Sequence, residues 1–555
     1  MPESLDKKNF IYSLKFGLIL TLLFFLFHLV GLTRHSFWID ELHTYGSSKL
    51  PIKELVENRF KAGHLPLYFL FIKYWCSVVG YSEGMMRFPS VVFASLSFLA
   101  FFLLCKKFLK ETHTFTVAIL LFFFHPFVFW ASQEARMYSI LILITILSSY
   151  TFLLFIEKSL ERDLSRINTP LTPLERGLRH KCRTTYAPTN LITYSITILI
   201  GMSLHMVFIL QLAVHFIYLL IYHRKQWIKL ALGIILPLLI LSPMLLTYSS
   251  MQEKYNPGIN LKLIGPGKAI KRMAYIAMGD PQPFFKSPEL LHDIFNWLTV
   301  FFFLFFLISS IVYYKKLKKE HSIIVQDIHP ELSSKCSEHR NTFRKRNAQC
   351  AFPTNSSFLE ISILRYSFYW VGISVLIMQL MAVLSYNKIG PTRYYIPMLA
   401  PIVIIMAIGC VKWRKYFIMN LARYLFLATF LVILFLQFTW KGVGVREGIK
   451  FLNENYSVND GVVYCSDGAL SYSFSFYNAE GMIRTGISKD LLDKEKLLEK
   501  VKAFAQGKKR LWLILYREND SPLITLLKEH PELFKQSFEE EIQEVKIRGF
   551  EVRDF

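Results

Sequence analysis

Long apolar runs recur along this chain from Ile11 to Gln437, and no other feature restricts its fold so strongly. A run of about 20 apolar residues is what a helix needs to cross a hydrocarbon core of roughly 30 Å. In lipid every backbone polar group must be satisfied within the spanning structure, so only helices and closed barrels qualify. The runs here are continuously apolar, without the alternation a barrel strand requires. With 53% hydrophobic residues and 50 Phe, a soluble fold could not bury the surface. The chain therefore reads as a polytopic α-helical membrane protein.

The first run, about Ile11 to Leu32, is too long for a signal-peptide core and has no small-residue cleavage site, so it stays as an anchor. Further apolar segments fall near 66–80, 89–105, 114–131, 137–156, 191–204, 206–222, 227–247, 293–314, 361–385, 393–411 and 417–438. That makes about twelve. The formal charge of +23 sits in the connections between them: Lys106-Lys107, Arg162 to Arg183, His223 to Lys225, Lys315 to Arg346 and Lys412 to Lys415. Such placement follows the positive-inside rule and argues against nucleic-acid binding. Those loops are expected on the cytoplasmic side, in contact with anionic lipid heads.

Parity then exposes a conflict. Counted back from the C-terminus, alternation keeps the basic loops inside as far as the 157–190 linker and puts residues after 440 outside. Counted forward from a cytoplasmic Met1 to Lys8 tail, the four segments between 66 and 156 give the opposite side. One crossing there is miscounted, for a total of eleven or thirteen.

After Trp440 the composition becomes that of a soluble domain. Two domains are expected: a membrane part over 1–440 and a small extracytoplasmic α/β domain over 441–555. Helical spacing covers Val445 to Asn455, strands are expected at Gly461 to Cys465, Arg510 to Tyr516 and Ile542 to Val552, and a helix over Ser521 to Phe534. The domain carries no repeat, no GxGxxG and no P-loop, so nucleotide binding is unsupported. Seven cysteines are scattered without a CxxC, and only Cys465 falls outside, so no disulfide framework is implied. The sequons at Asn355 and Asn455 are read as chance matches.

The candidate chemistry lies in the external loop 33–65. Ser36-Phe-Trp-Ile-Asp-Glu-Leu-His43 places Asp40 and Glu41 just beyond the first span, beside the interfacial aromatic Trp38. An amphipathic piece at Ile52 to Phe60 could lie along the membrane surface. The plain alternative is that Trp38 anchors the helix end and the acids are solvated.

Five stretches in order carry a resemblance: Trp38-Ile-Asp-Glu41; Gly63-His-Leu-Pro-Leu-Tyr-Phe-Leu70; Gly80-Tyr-Ser-Glu83 with Arg87-Phe-Pro-Ser90; Gln133-Glu-Ala-Arg-Met-Tyr138; and Thr392-Arg-Tyr-Tyr-Ile-Pro397. Together they resemble the bacterial branch of the dolichyl-phosphate-mannose protein mannosyltransferase superfamily, whose relatives include the aminoarabinose transferases that modify lipid A. The resemblance implies a GT-C membrane fold with an outer C-terminal domain. It also implies an inner-membrane glycosyltransferase that takes a sugar from a polyprenyl-phosphate carrier to a lipid, glycan or protein hydroxyl. Asp40 matches the catalytic base, with Glu41 beside it. His64, Arg136, Tyr138, Arg393 and Tyr394 match the outer face where the donor phosphate rests. The family's His-Pro-Pro-Leu is here His64-Leu65-Pro66-Leu67, one proline short.

The chemistry asks for such a set independently. A sugar on a polyprenyl phosphate already has a good leaving group, so one base and a cationic clamp suffice, where a glycosidase needs two carboxylates. Partial desolvation at the membrane edge would strengthen Asp40 as that base. Arginine suits the clamp because its planar fork holds phosphate oxygens in two places. Arg136 and Arg393 also fit ordinary interfacial anchors, and His64 a helix cap. His205 and His215 are read as core histidines. No cofactor is expected; the pair Asp40 and Glu41 could hold a divalent cation, but none is assigned. The rival class is a transporter or flippase of lipid-linked sugars, which would place ionisable groups near the midplane and show paired repeats.

Overall fold

The structure, a computed structural model, describes residues 11–167, 191–255, 266–278, 289–335, 356–384, 392–412, 416–439, 442–465, 470–487, 494–516 and 522–553. The helices that precede the first basic linker are α1 (Leu14–Leu29), α2 (Ile39–Lys49), α3 (Ile52–Lys61), α4 (Leu67–Val79), α5 (Glu83–Phe108), α6 (Thr112–Phe123), α7 (Pro126–Ser132) and α8 (Tyr138–Ile167). After it come α9 (Leu191–Leu204), α10 (Ile209–Tyr222), α11 (Trp227–Tyr255), α12 (Pro266–Met278), α13 (Glu289–Lys335), α14 (Ser356–Leu384), α15 (Leu399–Lys412) and α16 (Phe417–Thr439).

Among the described residues seven helices are long and apolar enough to cross a membrane, and the pair α6 and α7, bent by 41°, makes an eighth. The bend has a local cause. Pro126 has no N–H to continue the ladder, and the His125 ring accepts from the Phe127 amide to start a new helix.

Cross-helix contacts sort the helix ends into two faces. On one, Arg87 at the start of α5 donates to carbonyls just after α1, Gln133 after α7 donates to His28 O, and the Tyr248 hydroxyl donates to Gly63 O at 3.2 Å. On the other, Lys107 pairs with Glu157 at 2.8 Å and Lys412 with Glu111.

Helix α4 does not run between these faces. His64, before it, bonds the Arg59 carbonyl at 2.8 Å; Lys73 in its middle donates to Ser48 O and Leu50 O; Tyr81, past its end, donates to Ser48 O at 3.4 Å. Both ends touch the α2–α3 layer. Its 13 residues rise only about 20 Å, short of a bilayer core. The segment 66–80, counted as a crossing from its hydropathy, therefore keeps to one face; Leu14–Leu29, Leu191–Leu204 and Met206–Tyr222 are likewise shorter apolar helices than the seven or eight long ones.

The membrane part packs through aromatic rings and small residues. Phe101 and Phe122 stack at 4.4 Å, and a Cβ on Gly409 of α15 would lie 2.3 Å from Phe306 O of α13. Ser309 and Ser310 seal that close approach by donating to the Gly409 and Ile405 carbonyls. His215 is the satisfied core histidine expected, stacked on Phe152 and bonded to the hydroxyls of Tyr194 and Tyr366. His205 differs: its ring accepts from the Val207 amide and caps a short 3-10 turn.

The chain ends in an α/β unit: α17 (Val445–Asn455), β1 (Asp460–Cys465), α18 (Leu470–Phe476), β2 (Arg484–Ile487), α19 (Lys494–Ala505), β3 (Arg510–Tyr516), α20 (Pro522–Glu529), β4 (Phe534–Ile542) and β5 (Val545–Val552). The sheet order is β2-β1-β3-β5-β4, parallel through β3 and antiparallel beyond it. Helix α20 stops before Phe534 because Pro531 cannot continue it. Its sequel is the edge strand β4, paired with β5 through a turn in which Gln543 takes φ 58°.

Candidate active site

The site begins with the first turn of α2. Trp38 is its extended N-cap, and Asp40 and Glu41 occupy the first turn, where the helix's free amides favour negative charge. Neighbouring helix residues point about 100° apart, so the two acids separate. Glu41 turns inward and is fully buried, while the Asp40 side chain keeps 21% of its surface.

Glu41 is held by Arg87 in a two-pronged pair, Nε to Oε1 at 2.8 Å and Nη2 to Oε2 at 2.7 Å. The Ala135 amide adds a third bond at 2.8 Å. The rest of the Arg87 fork donates to Leu32 O, His35 O and Ser36 O, and its guanidinium lies over Phe37. One buried arginine thereby fixes the segment entering α2. Both Glu41 oxygens are thus engaged by Arg87, and one of them also by the Ala135 amide.

Asp40 faces cations. Arg136 Nη2 stands 3.9 Å from Asp40 Oδ2, and Arg136 Nη1 donates to Asp40 O at 3.1 Å and Thr44 Oγ1 at 3.3 Å. Arg59 of α3 joins it: the two guanidinium carbons lie 4.9 and 5.7 Å from the centre of the Phe69 ring. Burial, and then Arg136, pull Arg59 down to about 10, partly opposed by Tyr472 and Asp40, so it stays charged at neutral pH. Two buried guanidinium groups about one aromatic ring cost solvation and repel, and an anion near both would relieve both.

Glu134 closes the cluster. It accepts from Trp38 Nε1, and its backbone carbonyl accepts from Ser90 Oγ at 2.6 Å. Burial, and then the Glu41 charge, push its carboxyl well above the usual range. Tyr138 stacks on Trp130 at 5.1 Å with Arg136 over its ring, and half-buried His64 lies 5.9 Å from Phe69.

Of the residues singled out in the sequence, Asp40 and Tyr138 therefore meet at Arg136, Arg136 and His64 flank Phe69, and Glu41 is drawn into a closed pair. The side chains of Arg393 and Tyr394 lie outside the described residues. Their backbone belongs to a 3-10 stretch, Thr392–Met398, packed against α8 and α12. Sequence reasoning passed over Arg59, Arg87 and Glu134. Arg87 and Glu134 lie inside the family-like motifs without an assigned role, and Arg59 lies in the amphipathic piece Ile52 to Phe60, outside every motif.

No protein-family model matches the chain, and no curated protein matches it. Among solved structures, ArnT from Cupriavidus metallidurans in the apo state aligns over 96% of this chain and 97% of that one, at 12% identity and a TM-score of 0.46. ArnT from the same organism bound to undecaprenyl phosphate aligns over 97% and 98%, at 11% identity and a TM-score of 0.42. The fold class itself rests on this chain's own helices and sheet: a polytopic α-helical protein with a small five-stranded α/β unit.

Proposed function

We propose that the chain is a GT-C-type membrane glycosyltransferase that moves a sugar from a polyprenyl-phosphate carrier to an acceptor hydroxyl, with inversion. The observation that carries this is the partly open Asp40 carboxylate beside the buried guanidinium groups of Arg59 and Arg136. Asp40 accepts the proton of the attacking hydroxyl as its oxygen bonds the anomeric carbon. The carbon–oxygen bond to phosphate breaks on the opposite side, and the electron pair leaves on the phosphate that the two arginines neutralise. Arg393, Tyr394, Tyr138 and His64 belong to the donor's surroundings in this proposal. Glu41 has no part in proton transfer; with Arg87 it sets the angle of α2. In this proposal the site face and the C-terminal unit lie outside the cytoplasmic membrane, a reading supported by Lys107 and Lys412 on the opposite face.

The test is purified protein in detergent with polyprenyl-phosphate sugars and a panel of hydroxyl acceptors. Wild-type protein should transfer sugar, and Asp40→Asn should fold normally yet lose roughly two orders of magnitude in rate or more, as for a lost general base. Near wild-type transfer by Asp40→Asn would remove it as the base. Absence of transfer across the panel would favour the transporter.

A further inference from the structure

Glu83 is a carboxylate at the first turn of α5, 8% exposed, and the proposed reaction does not use it. Its partners come from the far end of the chain. The Tyr477 hydroxyl donates to Glu83 Oε1 at 2.7 Å, and Arg446 Nη1 donates to Glu83 Oε2 at 2.6 Å. Both partners also reach the segment that leads into α2. Tyr477 Oη accepts from the Phe37 amide at 2.8 Å, and Arg446 donates to Thr33 O at 3.2 Å and Arg34 O at 3.1 Å. A further bond runs from the Val445 amide to Ser36 Oγ at 3.0 Å.

Packing continues the contact along α2. Phe476 lies 4.7 Å from Phe37 and 4.8 Å from Tyr45, ring to ring. Gly46 lets Tyr472 press on the helix backbone, since a Cβ there would fall 2.5 Å from the ring. The segment 33–37 is thus held from within the membrane part by Arg87 and from the soluble unit by Arg446 and Tyr477. Glu83 and Arg87, one turn apart on α5, are the two pegs.

From this geometry we infer that the C-terminal unit is a clamp on the active-site helix, in which Glu83, Tyr477 and Arg446 are positioning residues for Asp40. The clamp's catalytic part rests on the proposed transferase function; its mechanical part does not. With the clamp intact, the carboxylate of Asp40 stays in line with Arg136 and Arg59. When it is loosened, the helix start shifts, and displacements of about 1 Å at a reacting group cost up to about a hundredfold in rate.

Two measurements on the full-length protein test it. Tyr477→Phe keeps the ring and removes only the bridging hydroxyl. It should speed amide hydrogen exchange over residues 36–46 relative to wild type while leaving the interior of α5 unchanged, and it should lower kcat roughly ten- to hundredfold with little change in KM for the lipid-linked sugar. Glu83→Gln, which keeps shape but loses charge, should do the same, and Lys494→Ala on the remote surface of the unit should do neither. Wild-type exchange over 36–46 in both Tyr477→Phe and Glu83→Gln would overturn the clamp. Faster exchange with an unaltered kcat would overturn its positioning role. If the wild-type protein itself transfers no sugar, the transferase function falls, and the exchange measurement still decides the clamp.

Discussion

At the level of single residues, the two adjacent acids of the external loop have opposite fates, and helical geometry decides which is which. Asp40 stays partly open beside Arg136, whereas Glu41 and Arg87 are each about 1% exposed. Breaking a buried ion pair leaves an uncompensated charge and costs about 3–5 kcal/mol. Glu41→Ala and Arg87→Ala are accordingly expected to lower the yield of monodisperse protein and its unfolding midpoint in detergent, while Asp40→Asn leaves both near wild type. Should Glu41→Ala prove as stable as Asp40→Asn, and equally inactive, Glu41 would belong to the chemistry instead. The acid pair was legible in the sequence because it sits just beyond the first span beside Trp38, at the head of a set of motifs. Its division of labour was not, because it depends on Arg87, whose approach is made by the fold.

For the elements, apolar length located nearly every helix but could not say which ones traverse. Helix α4 is apolar enough to be counted as a span, yet His64 before it bonds Arg59 of α3, Lys73 in its middle bonds Ser48 and Leu50, and Tyr81 past its end bonds Ser48, so it stays on one face. Parity signals a miscount between 66 and 156, and the contacts of α4 single it out as a segment that keeps to one face. Cysteines introduced singly at Gly63 and Ser82, flanking α4, and after Phe555 should all react with a membrane-impermeant thiol reagent added from outside. One within Lys315 to Arg346 should not. Opposite labelling at Gly63 and Ser82 would make α4 a crossing. In the soluble unit, the buried strands β1 and β3 were legible as apolar runs, but β4 was not. Its sequence Phe-Lys-Gln-Ser-Phe-Glu-Glu-Glu-Ile is that of a charged edge strand, which hides its pattern.

Across the whole molecule, the soluble unit is docked on the loop that carries the acid, and His35 sits in the seam. Arg87 accepts nothing and donates to the His35 carbonyl, while Gly442 approaches so closely that a Cβ would lie 2.3 Å from His35 Cβ. Burial first, then the charges of Arg87, Arg34 and Arg446, lower His35 from its ordinary 6.5 to about 3. In the folded chain it is therefore neutral over a range where the unfolded chain binds a proton. Stability rises with pH wherever the unfolded state holds more protons, so this contribution is complete above pH 6.5 and is lost as pH falls toward 3. Between pH 6.5 and 5 the loss amounts to about 2 kcal/mol. Carboxylates titrate in the same direction at lower pH, so the histidine must be isolated by comparison. His35→Gln, measured against itself at pH 7 and pH 5, should lose less stability on acidification than the wild-type protein does, whatever the substitution costs at pH 7. An equal loss in both proteins would mean that the seam is open enough for His35 to protonate in place, and the docking would then be looser than its contacts with Arg87 and Gly442 require.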